Sequence, residues 1–331
     1  MSTHTARDSL TLALPDGRTI GYAEYGLPTG YPILYFHGFP ASRLEARGTS
    51  ALARRKGLRI IALDRPGFGL STFQPGRRIV DWPVDVRECA GQLGLRRFAV
   101  LGVSGGGPYA LACAHALPRD MVSAVGLFAS GPPWAAGRQH MSRGRRMLAF
   151  AATYFPAVVR AVSGVVVGMA RWIVNSGPVA RRIDQWIESL DAKKKKDDDR
   201  RDGEEEEELT IPQRRQRLLR MAFEAFVQGP RGFVHETQLL VSPSWGFNFE
   251  DVTYDNVQVW HGAKDTFAPA VMIRWMVERL PHVQYKEYET DNHVSLGDHF
   301  EEVFGELVPE EVLEKHRAGV RERDAFAQSS S

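Results

Sequence analysis

One serine stands in a turn pattern that suits nucleophilic chemistry. Residues 102–106 follow the pattern Gly-x-Ser-x-Gly, after an apolar run at 98–101 and before a stretch of small residues. The run favours a buried strand and the stretch a helix. The pattern therefore predicts a sharp strand–turn–helix that holds Ser104 in a strained backbone conformation and exposes its hydroxyl. Gly102 and Gly106 are expected where strand and helix pass too close for a Cβ.

A serine hydroxyl needs a base to remove its proton, and the base needs an acid that holds it in one tautomer. Asp265 follows a strand-like run at 256–260, and His293 follows another at 283–288. The carboxyl ends of parallel strands lie at the same edge of a sheet. We therefore predict Ser104 as nucleophile, His293 as base and Asp265 as acid.

Other residues remain alternatives for the acid and the base. His261 is expected to pack at the end of a strand, and Asp291 lies on the same loop as His293. The chain order serine, acid, histidine favours Asp265 and His293. The alternatives for the acid are Asp251, Asp255 and Asp291, and those for the base are His261, His282 and His299.

Acyl transfer also needs two N–H donors for a developing oxyanion. The backbone N–H of Gly105, directly after the serine, is one candidate, and that of Phe39 is the other. Gly38 allows the chain to fold back so that Phe39 reaches the same point. We expect His37 to brace this loop rather than to react.

Strand-like and helical patterns alternate from residue 10 to residue 128, after a hairpin signal at 10–25. Only helical patterns follow from about 132 to 245, and strands then resume. This order predicts an α/β fold, a mainly parallel twisted sheet with an antiparallel edge hairpin and an inserted helical cap. We expect a core domain at 1–131 and 246–331, a cap at 132–245, and one closing helix at about 300–323.

The predicted cap contains two unusual stretches. The low-complexity block at about 192–208 carries both charge signs, which favours a solvated, partly disordered loop. Residues 147–174 are strongly apolar, but Pro156, Arg160 and Arg171 interrupt them. Since a spanning helix needs about 20 apolar residues, we predict cap helices over an apolar pocket and do not expect contact with a membrane surface.

Two pairs of charged or polar residues receive more limited predictions. Asp64 and Arg65 lie in a turn-rich loop at 64–71, which we expect them to pin. His235 and Glu236 lie in the cap, either facing the pocket or on a solvated side of a helix.

Composition limits the classes of function. The chain has 331 residues, 43% of them apolar, and a formal net charge of +2. Near-neutral charge argues against nucleic acid as a partner. Its two cysteines, Cys89 and Cys113, predict no disulfide framework, and no apolar signal segment stands at the N-terminus, so the cytoplasm is the expected location. The oligomeric state is left open.

These motifs together resemble the α/β-hydrolase superfamily, in the type with a helical cap inserted after the sixth strand. The matching pieces are residues 37–40, 64–71, 102–106, 261–265 and 292–293. The resemblance implies a Ser-His-Asp hydrolase without cofactor or metal. Asn292 departs from the pattern, because these proteins often have glycine there.

The resemblance also covers epoxide hydrolases and dehalogenases, but their nucleophile is a carboxylate, whereas Ser104 points to acyl transfer. We expect hydrolysis of a small-molecule carboxylic ester, and the apolar cap segments predict a hydrophobic acyl or alcohol group. Amide, peptide or carbon–carbon bond hydrolysis, a lyase, and a non-catalytic ligand-binding protein remain alternatives.

Overall fold

A computed structural model describes residues 7–197 and 209–329 of the chain. Most of the charged block predicted as a loop, residues 198–208, lies outside the described residues. Its first residues, at 192–197, continue a helix that ends at Asp197. The prediction of a loop was wrong for this part, because lysine favours helical backbone almost as well as leucine.

Eight strands form one sheet in the order β1-β2-β4-β3-β5-β6-β7-β8. β2 pairs antiparallel with β1 and β4, and every other pairing is parallel. The predicted mainly parallel sheet with an antiparallel edge hairpin is therefore confirmed. The strands are β1 Leu10–Ala13, β2 Thr19–Gly26, β3 Tyr31–Phe36, β4 Leu58–Leu63, β5 Phe98–Val103, β6 Val122–Phe128, β7 Val257–Gly262 and β8 Val283–Tyr288.

Helices cover both faces of this sheet. In β3, Leu34 and Phe36 join the apolar cluster on one face of the sheet, whereas Ile33 and Tyr35 join the cluster on the other face. Successive side chains of a strand point to opposite faces, so a continuous apolar run fits a doubly covered strand. The helices of the core are α1 Ser50–Arg55, α2 Trp82–Gln92, α3 Gly107–Ala116, α9 Ala270–Val277, α10 Phe300–Leu307 and α11 Glu310–Ser329.

The closing helix was predicted as one element, but the structure divides it. α10 ends at Leu307 and α11 begins at Glu310, with Pro309 between them. Proline has no N–H to donate and its ring clashes with the preceding turn, so a helix cannot continue through it undisturbed.

Between β6 and β7, the described residues form five α-helices and no strand. We refer to residues 132–245 as the helical insertion; its role as a cap remains a prediction. Its helices are α4 Arg143–Tyr154, α5 Pro156–Val174, α6 Gly177–Asp197, α7 Ile211–Phe223 and α8 Arg231–Leu240.

The apolar stretch at 147–174 forms two helices, α4 and α5, that break at Pro156. α5 is long and apolar enough to cross a membrane by length and composition, and only 6% of its most apolar window is buried inside the protein. Most of its large side chains therefore face outward rather than over a pocket, which differs from the sequence-based expectation.

Gly106→Ala tests the tight approach of α3 to β3. A Cβ at Gly106 would lie far inside van der Waals contact with the carbonyl oxygen of Phe36. We expect overpacking to lower the free energy of unfolding by about 1–3 kcal/mol, measured by urea denaturation. Gly168→Ala on α5 is the matched control, since a Cβ there meets nothing within 4 Å. Because alanine favours helix more than glycine does, this variant should have a free energy of unfolding that is higher by about 1 kcal/mol. Equal free energies of unfolding for the two variants would contradict the predicted clash of a Cβ at position 106 with Phe36.

Candidate active site

Ser104 occupies the turn between β5 and α3. Its φ angle is 49°, in the left-handed region that residues other than glycine seldom adopt. The predicted backbone strain is therefore present. A Cβ at Gly102 would collide with the carbonyl group of Gly106. This close approach requires glycine at 102, whereas position 106 requires glycine because of the carbonyl oxygen of Phe36.

The structure brings Ser104, His293 and Asp265 into one chain of hydrogen-bonding atoms. Nε2 of His293 lies 3.0 Å from Oγ of Ser104, and Nδ1 lies 2.6 Å from Oδ2 of Asp265. Asp265 follows β7 and His293 follows β8, so parallel neighbouring strands deliver both side chains to one edge. The carboxylate can only accept, which places a proton on Nδ1 and leaves Nε2 free to accept from the serine hydroxyl.

The carboxyl of Asp265 is buried and held on both oxygens. Its Oδ1 accepts the backbone N–H groups of Phe267 at 2.7 Å and Ala268 at 2.8 Å. Burial alone would raise the pKa of Asp265, but the hydrogen bonds from His293 and Ala268 outweigh it and lower the pKa below its ordinary value. Asp265 is therefore ionised and fixed in orientation at neutral pH.

None of the alternative acids and bases is hydrogen-bonded to Ser104, although Nε2 of His261 lies 3.6 Å from Oδ2 of Asp265. Asp291 accepts from Ser295 and contacts His299 at 3.2 Å. The buried His261 contacts the carbonyl oxygen of Ala268 with Nε2 at 2.7 Å, as expected for packing at a strand end. The remaining candidates bond to other partners or lie exposed: Asp251 accepts from Asn248, Asp255 pairs with Arg119, and His282 is exposed.

The two predicted oxyanion donors lie next to each other. A Cβ at Gly105 would stand 3.2 Å from the backbone nitrogen of Phe39 and 2.6 Å from its Cβ. This proximity arises because β3 and β5 are parallel neighbours, so the turns that follow them emerge side by side. The loop from Gly38 to Phe39 thus faces the turn at Ser104, as the sequence analysis expected.

His37 braces this loop, as expected. Its Nε2 accepts the backbone N–H of Arg65 at 3.2 Å, which leaves the proton on Nδ1 to donate to the carbonyl of Gly38 at 2.8 Å. Burial and the nearby Arg65 guanidinium hold the pKa of His37 well below its usual range. A histidine that is neutral at neutral pH, with both ring nitrogens hydrogen-bonded, is a structural element of the loop.

Asp64 pins the loop at 64–71, as predicted from the sequence, whereas the side chain of Arg65 holds the neighbouring loop at His37 and Gly38. The buried carboxylate of Asp64 accepts the backbone N–H of Leu70 at 2.9 Å and forms an ion pair with Arg43 at 2.7 Å. Arg65 donates to the carbonyl oxygens of His37 and Gly38.

Glu236 is neither in solvent nor among the residues that line a cavity beside Ser104. It is fully buried between Arg65, at 2.7 Å, and Arg77, and it also accepts from the hydroxyl of Tyr109 at 2.8 Å. Burial alone would raise the pKa of Glu236, but the two arginines outweigh burial and lower it. His235 is half-buried beside Phe73. Glu236 thus joins α8 of the insertion to the loop that carries Gly38.

A cavity of about 450 Å³ opens beside Ser104 and His293. Its lining comes from the core and includes the apolar side chains of Val103, Phe128 and Phe300. No residue of the helical insertion lines it among the described residues. The expectation that apolar cap segments form the pocket is therefore wrong, although an apolar pocket is present.

Glu45 is a cavity residue that sequence reasoning missed. Its carboxylate accepts from the hydroxyl of Tyr35 at 2.8 Å and from the backbone N–H of Gly38 at 2.9 Å. Burial raises the pKa of this carboxyl, although both donors oppose the shift. Ser42 and Glu45 fit the S-x-x-E pattern of a helix cap. The pattern therefore predicts only a capping role for Glu45, and nothing in it indicates that the side chain lines a cavity.

The helical insertion contacts both loops of the site. Phe233 of α8 stacks on Phe39, with ring centroids 5.2 Å apart. Arg145 of α4 donates to the carbonyl of Phe267 and lies 4.9 Å from the centre of its ring. Phe267 in turn contacts the ring of His293. Movement of the insertion would therefore change the surroundings of the oxyanion loop and of His293.

The two cysteines, Cys89 in α2 and Cys113 in α3, are both buried and unbridged. Within residues 7–197 and 209–329, no group of three or more histidine, cysteine or acidic residues is arranged to hold a metal ion.

The family model for the alpha/beta hydrolase fold matches residues 31–300. This match covers most of the chain and includes every residue of the proposed site, so the chain belongs to the α/β-hydrolase fold family. The resemblance inferred from the motifs is thereby confirmed, and family membership supports the prediction of a hydrolase.

Curated relatives match only part of the chain. A non-heme chloroperoxidase from Streptomyces lividans is 34% identical over 126 residues, which cover 37% of this chain and 45% of that protein. A bifunctional esterase/perhydrolase from Acinetobacter calcoaceticus is 30% identical over 120 residues, 36% of this chain and 43% of that protein. The chain thus spans less than half the length of these relatives.

Solved structures support the same fold over nearly the whole chain. An esterase from Exiguobacterium antarcticum superposes with a TM-score of 0.60 and 18% identity, over 89% of this chain and 97% of that chain. Identity this low supports a common fold and leaves the reaction to be argued from the site.

Glu236→Gln tests the buried charge cluster. The substitution leaves the buried guanidinium groups of Arg65 and Arg77 without an anionic partner. We therefore expect the free energy of unfolding at neutral pH to fall by about 3–5 kcal/mol. Because the pKa of Glu236 is lower in the folded protein than its ordinary value of 4.5, the stabilisation is complete above that value and declines as pH falls through the lowered folded pKa. The variant should show a shallower decline in acid, measured by urea denaturation at several pH values.

Glu250→Gln is the matched control, since Glu250 is exposed; its stability should stay within about 0.5 kcal/mol of wild type. An equal pH profile for Glu236→Gln and wild type would show that Glu236 is not ionised in the cluster.

Proposed function

We propose that this protein is a serine hydrolase that cleaves a carboxylic ester carrying a hydrophobic group. The observation that carries the proposal is the alignment of Oγ of Ser104, the ring of His293 and the carboxylate of Asp265, at 3.0 Å and 2.6 Å, beside an open cavity. Three groups so arranged can generate a nucleophile at neutral pH.

In the first half of the reaction, Ser104 attacks the ester carbonyl while Nε2 of His293 takes its proton. Asp265 keeps the ring in the required tautomer and stabilises the imidazolium that forms. The N–H groups of Phe39 and Gly105 stabilise the negative charge on the carbonyl oxygen. His293 then protonates the leaving alcohol, and an acyl group remains on Ser104.

In the second half, a water molecule attacks the acyl group and His293 again acts as the base. The tetrahedral intermediate collapses, Ser104 recovers its proton and the carboxylic acid leaves. No step needs a metal or an organic cofactor. Every proton passes through one ring nitrogen of His293.

The cavity supports a hydrophobic acyl or alcohol group as substrate. Its lining places Phe128, Phe300 and Val294 near the nucleophile, with Glu45 as the carboxyl among them. Apolar walls favour burial of hydrocarbon by about 25 cal/mol per Å². We therefore expect longer acyl chains to be turned over faster than acetyl esters until the cavity of about 450 Å³ is filled.

Ser104→Ala tests the nucleophile. A fluorophosphonate should add once to the wild type, detected by intact mass, and should not add to the variant. Ester hydrolysis should fall by a factor on the order of 10⁴ or more, because the residual oxyanion hole alone gives little turnover.

Ser130→Ala is a suitable control, because this buried serine hydroxyl bonds to the carbonyl of Gly131 instead of to a histidine. Adduct formation on Ser104→Ala, or no adduct on either protein, would contradict the assignment of Ser104 as an activated nucleophile.

The names of the relatives favour a second reaction at the same site, perhydrolysis. Hydrogen peroxide would replace water in the second half, so that its oxygen bonds to the acyl carbon, the bond to Ser104 breaks and a peracid leaves. His293 would move the proton from peroxide to Ser104, with no net oxidation of the protein.

We expect peracid to form from an acetate ester and hydrogen peroxide, measured by the oxidation of bromide. In Ser104→Ala the rate of bromide oxidation should fall to that of the mixture without enzyme. Equal bromide oxidation by wild type and variant would exclude perhydrolysis while leaving the ester hydrolysis untouched.

A further inference from the structure

The exposed apolar surface of this protein is concentrated on α4 and α5. Of 21 large apolar side chains that are exposed in the described residues, 12 lie between residues 147 and 173. Soluble proteins scatter such side chains singly, and a contiguous patch marks a surface that binds a partner or a membrane. This patch lies away from the catalytic cavity, whose lining contains none of its members.

The exposed side chains of α5 follow one stripe along the helix. Their spacing of three and four residues places them on a single side, and the buried Val159 lies at the edge of this stripe. The apolar stripe of a helix in a water-soluble protein normally faces the core. The apolar stripe of α5 faces away from the core instead. The stripe consists of Val158, Val162, Val165, Val166, Met169, Trp172 and Ile173.

α4 extends this surface with aromatic residues. Phe150 is exposed and contacts the rings of Tyr154, at 4.8 Å, and Phe155, at 6.1 Å. Trp172, at the other end of α5, is 76% exposed. Tryptophan and tyrosine are the residues that prefer the boundary between water and lipid, because each has an apolar body and a polar tip.

The stretch of chain that forms this surface carries an excess of positive charge. Residues 132–190 contain eight arginines and only two acidic residues, Asp184 and Glu188. Asp184 is already paired with Arg215 of α7. Three exposed arginines lie near the patch along the chain, Arg143 at the start of α4 and Arg181 and Arg182 on α6. Arg160 is also exposed, but it lies on the side of α5 opposite to the stripe.

We propose that α4 and α5 bind the surface of an anionic lipid bilayer, with the apolar stripe at the headgroup boundary and the arginines on lipid phosphates. An exposed apolar stripe with tryptophan and flanking arginines is the composition of helices that lie in this boundary. Each arginine near an anionic leaflet adds to the attraction.

The positive charge of this surface favours an anionic lipid bilayer over a second copy of the chain as its partner. A symmetric dimer brings the same patch of both copies together, so the arginines of one copy would face those of the other. An anionic lipid surface supplies the opposite charge. Like charges across an interface are unfavourable and opposite charges steer association.

Contacts within the insertion favour a helix that lies on the bilayer rather than crosses it. Arg171 of α5 donates to the carbonyl oxygen of Phe223 at 3.1 Å and lies over its ring. Gly164 packs near Pro230, which precedes α8. One side of α5 is therefore held by the protein, and a spanning α5 would have to lose these contacts.

Flotation of the full-length protein with vesicles tests the proposal. One set contains phosphatidylcholine alone and the other adds about one-third phosphatidylglycerol. We expect at least about tenfold more protein on the anionic vesicles, with the excess reduced by high salt as screening requires. Val162→Glu with Val166→Glu should remove at least about nine-tenths of this binding, because two charges enter the apolar stripe.

Val84→Glu with Val271→Glu is the matched control, since both valines are exposed on core helices and the change in charge is the same. This control should float with the vesicles like wild type. Circular dichroism and fluorophosphonate labelling in solution should be unchanged in both double variants, because none of the four valines touches the site.

Four outcomes would overturn the proposal. The first is wild-type protein that does not float with anionic vesicles, and the second is equal loss of binding in the two double variants. The third is a dimer in sedimentation velocity that depends on Val162 and Val166 while vesicle binding does not, which would assign the surface to a second copy. Resistance of bound protein to an alkaline carbonate wash would indicate a spanning helix instead.

Discussion

The carbonyl of Phe36 lies so close to Gly106 that only a residue without a Cβ fits between β3 and the start of α3. This approach forces the turn after β5 to be sharp, which leaves Ser104 with its positive φ of 49°. It also brings the loop that follows β3 against the turn that follows β5, so Phe39 lies beside Gly105. The geometry of the proposed nucleophile and its oxyanion donors thus depends on one steric constraint.

Buried ion pairs stabilise this arrangement of the two turns. Arg65 connects the carbonyl of Gly38 with Glu236 of α8, and Arg77 completes the buried pairing. A buried charge is tolerated only where a partner and hydrogen bonds replace water. The ionic contacts therefore couple the helical insertion to the loop of Phe39, and the stacking of Phe233 on Phe39 adds an apolar contact at the same point.

The helical insertion has two different surfaces. Its inner surface, through α8 and Arg145, contacts the loops of the site without lining the cavity. Its outer surface carries the apolar stripe of α5 and an excess of arginine. An ester with a long hydrocarbon chain concentrates at lipid surfaces because water excludes it. The proposed hydrolase chemistry and the proposed lipid contact are therefore compatible, although each is tested separately.

Local pattern determined much of this protein. The Gly-x-Ser-x-Gly turn and the period of the strands could be read from the sequence, because each reflects backbone geometry over a few residues. Ser104, Asp265 and His293 were predicted from their order along the chain and from the strands that precede Asp265 and His293. Only the tertiary structure revealed that Arg65 pairs with Glu236, 171 residues away, and that Glu45 lines the cavity. It also decided the direction of α5. Periodicity shows that a helix has an apolar side, but the direction of that side depends on what the rest of the chain packs against it.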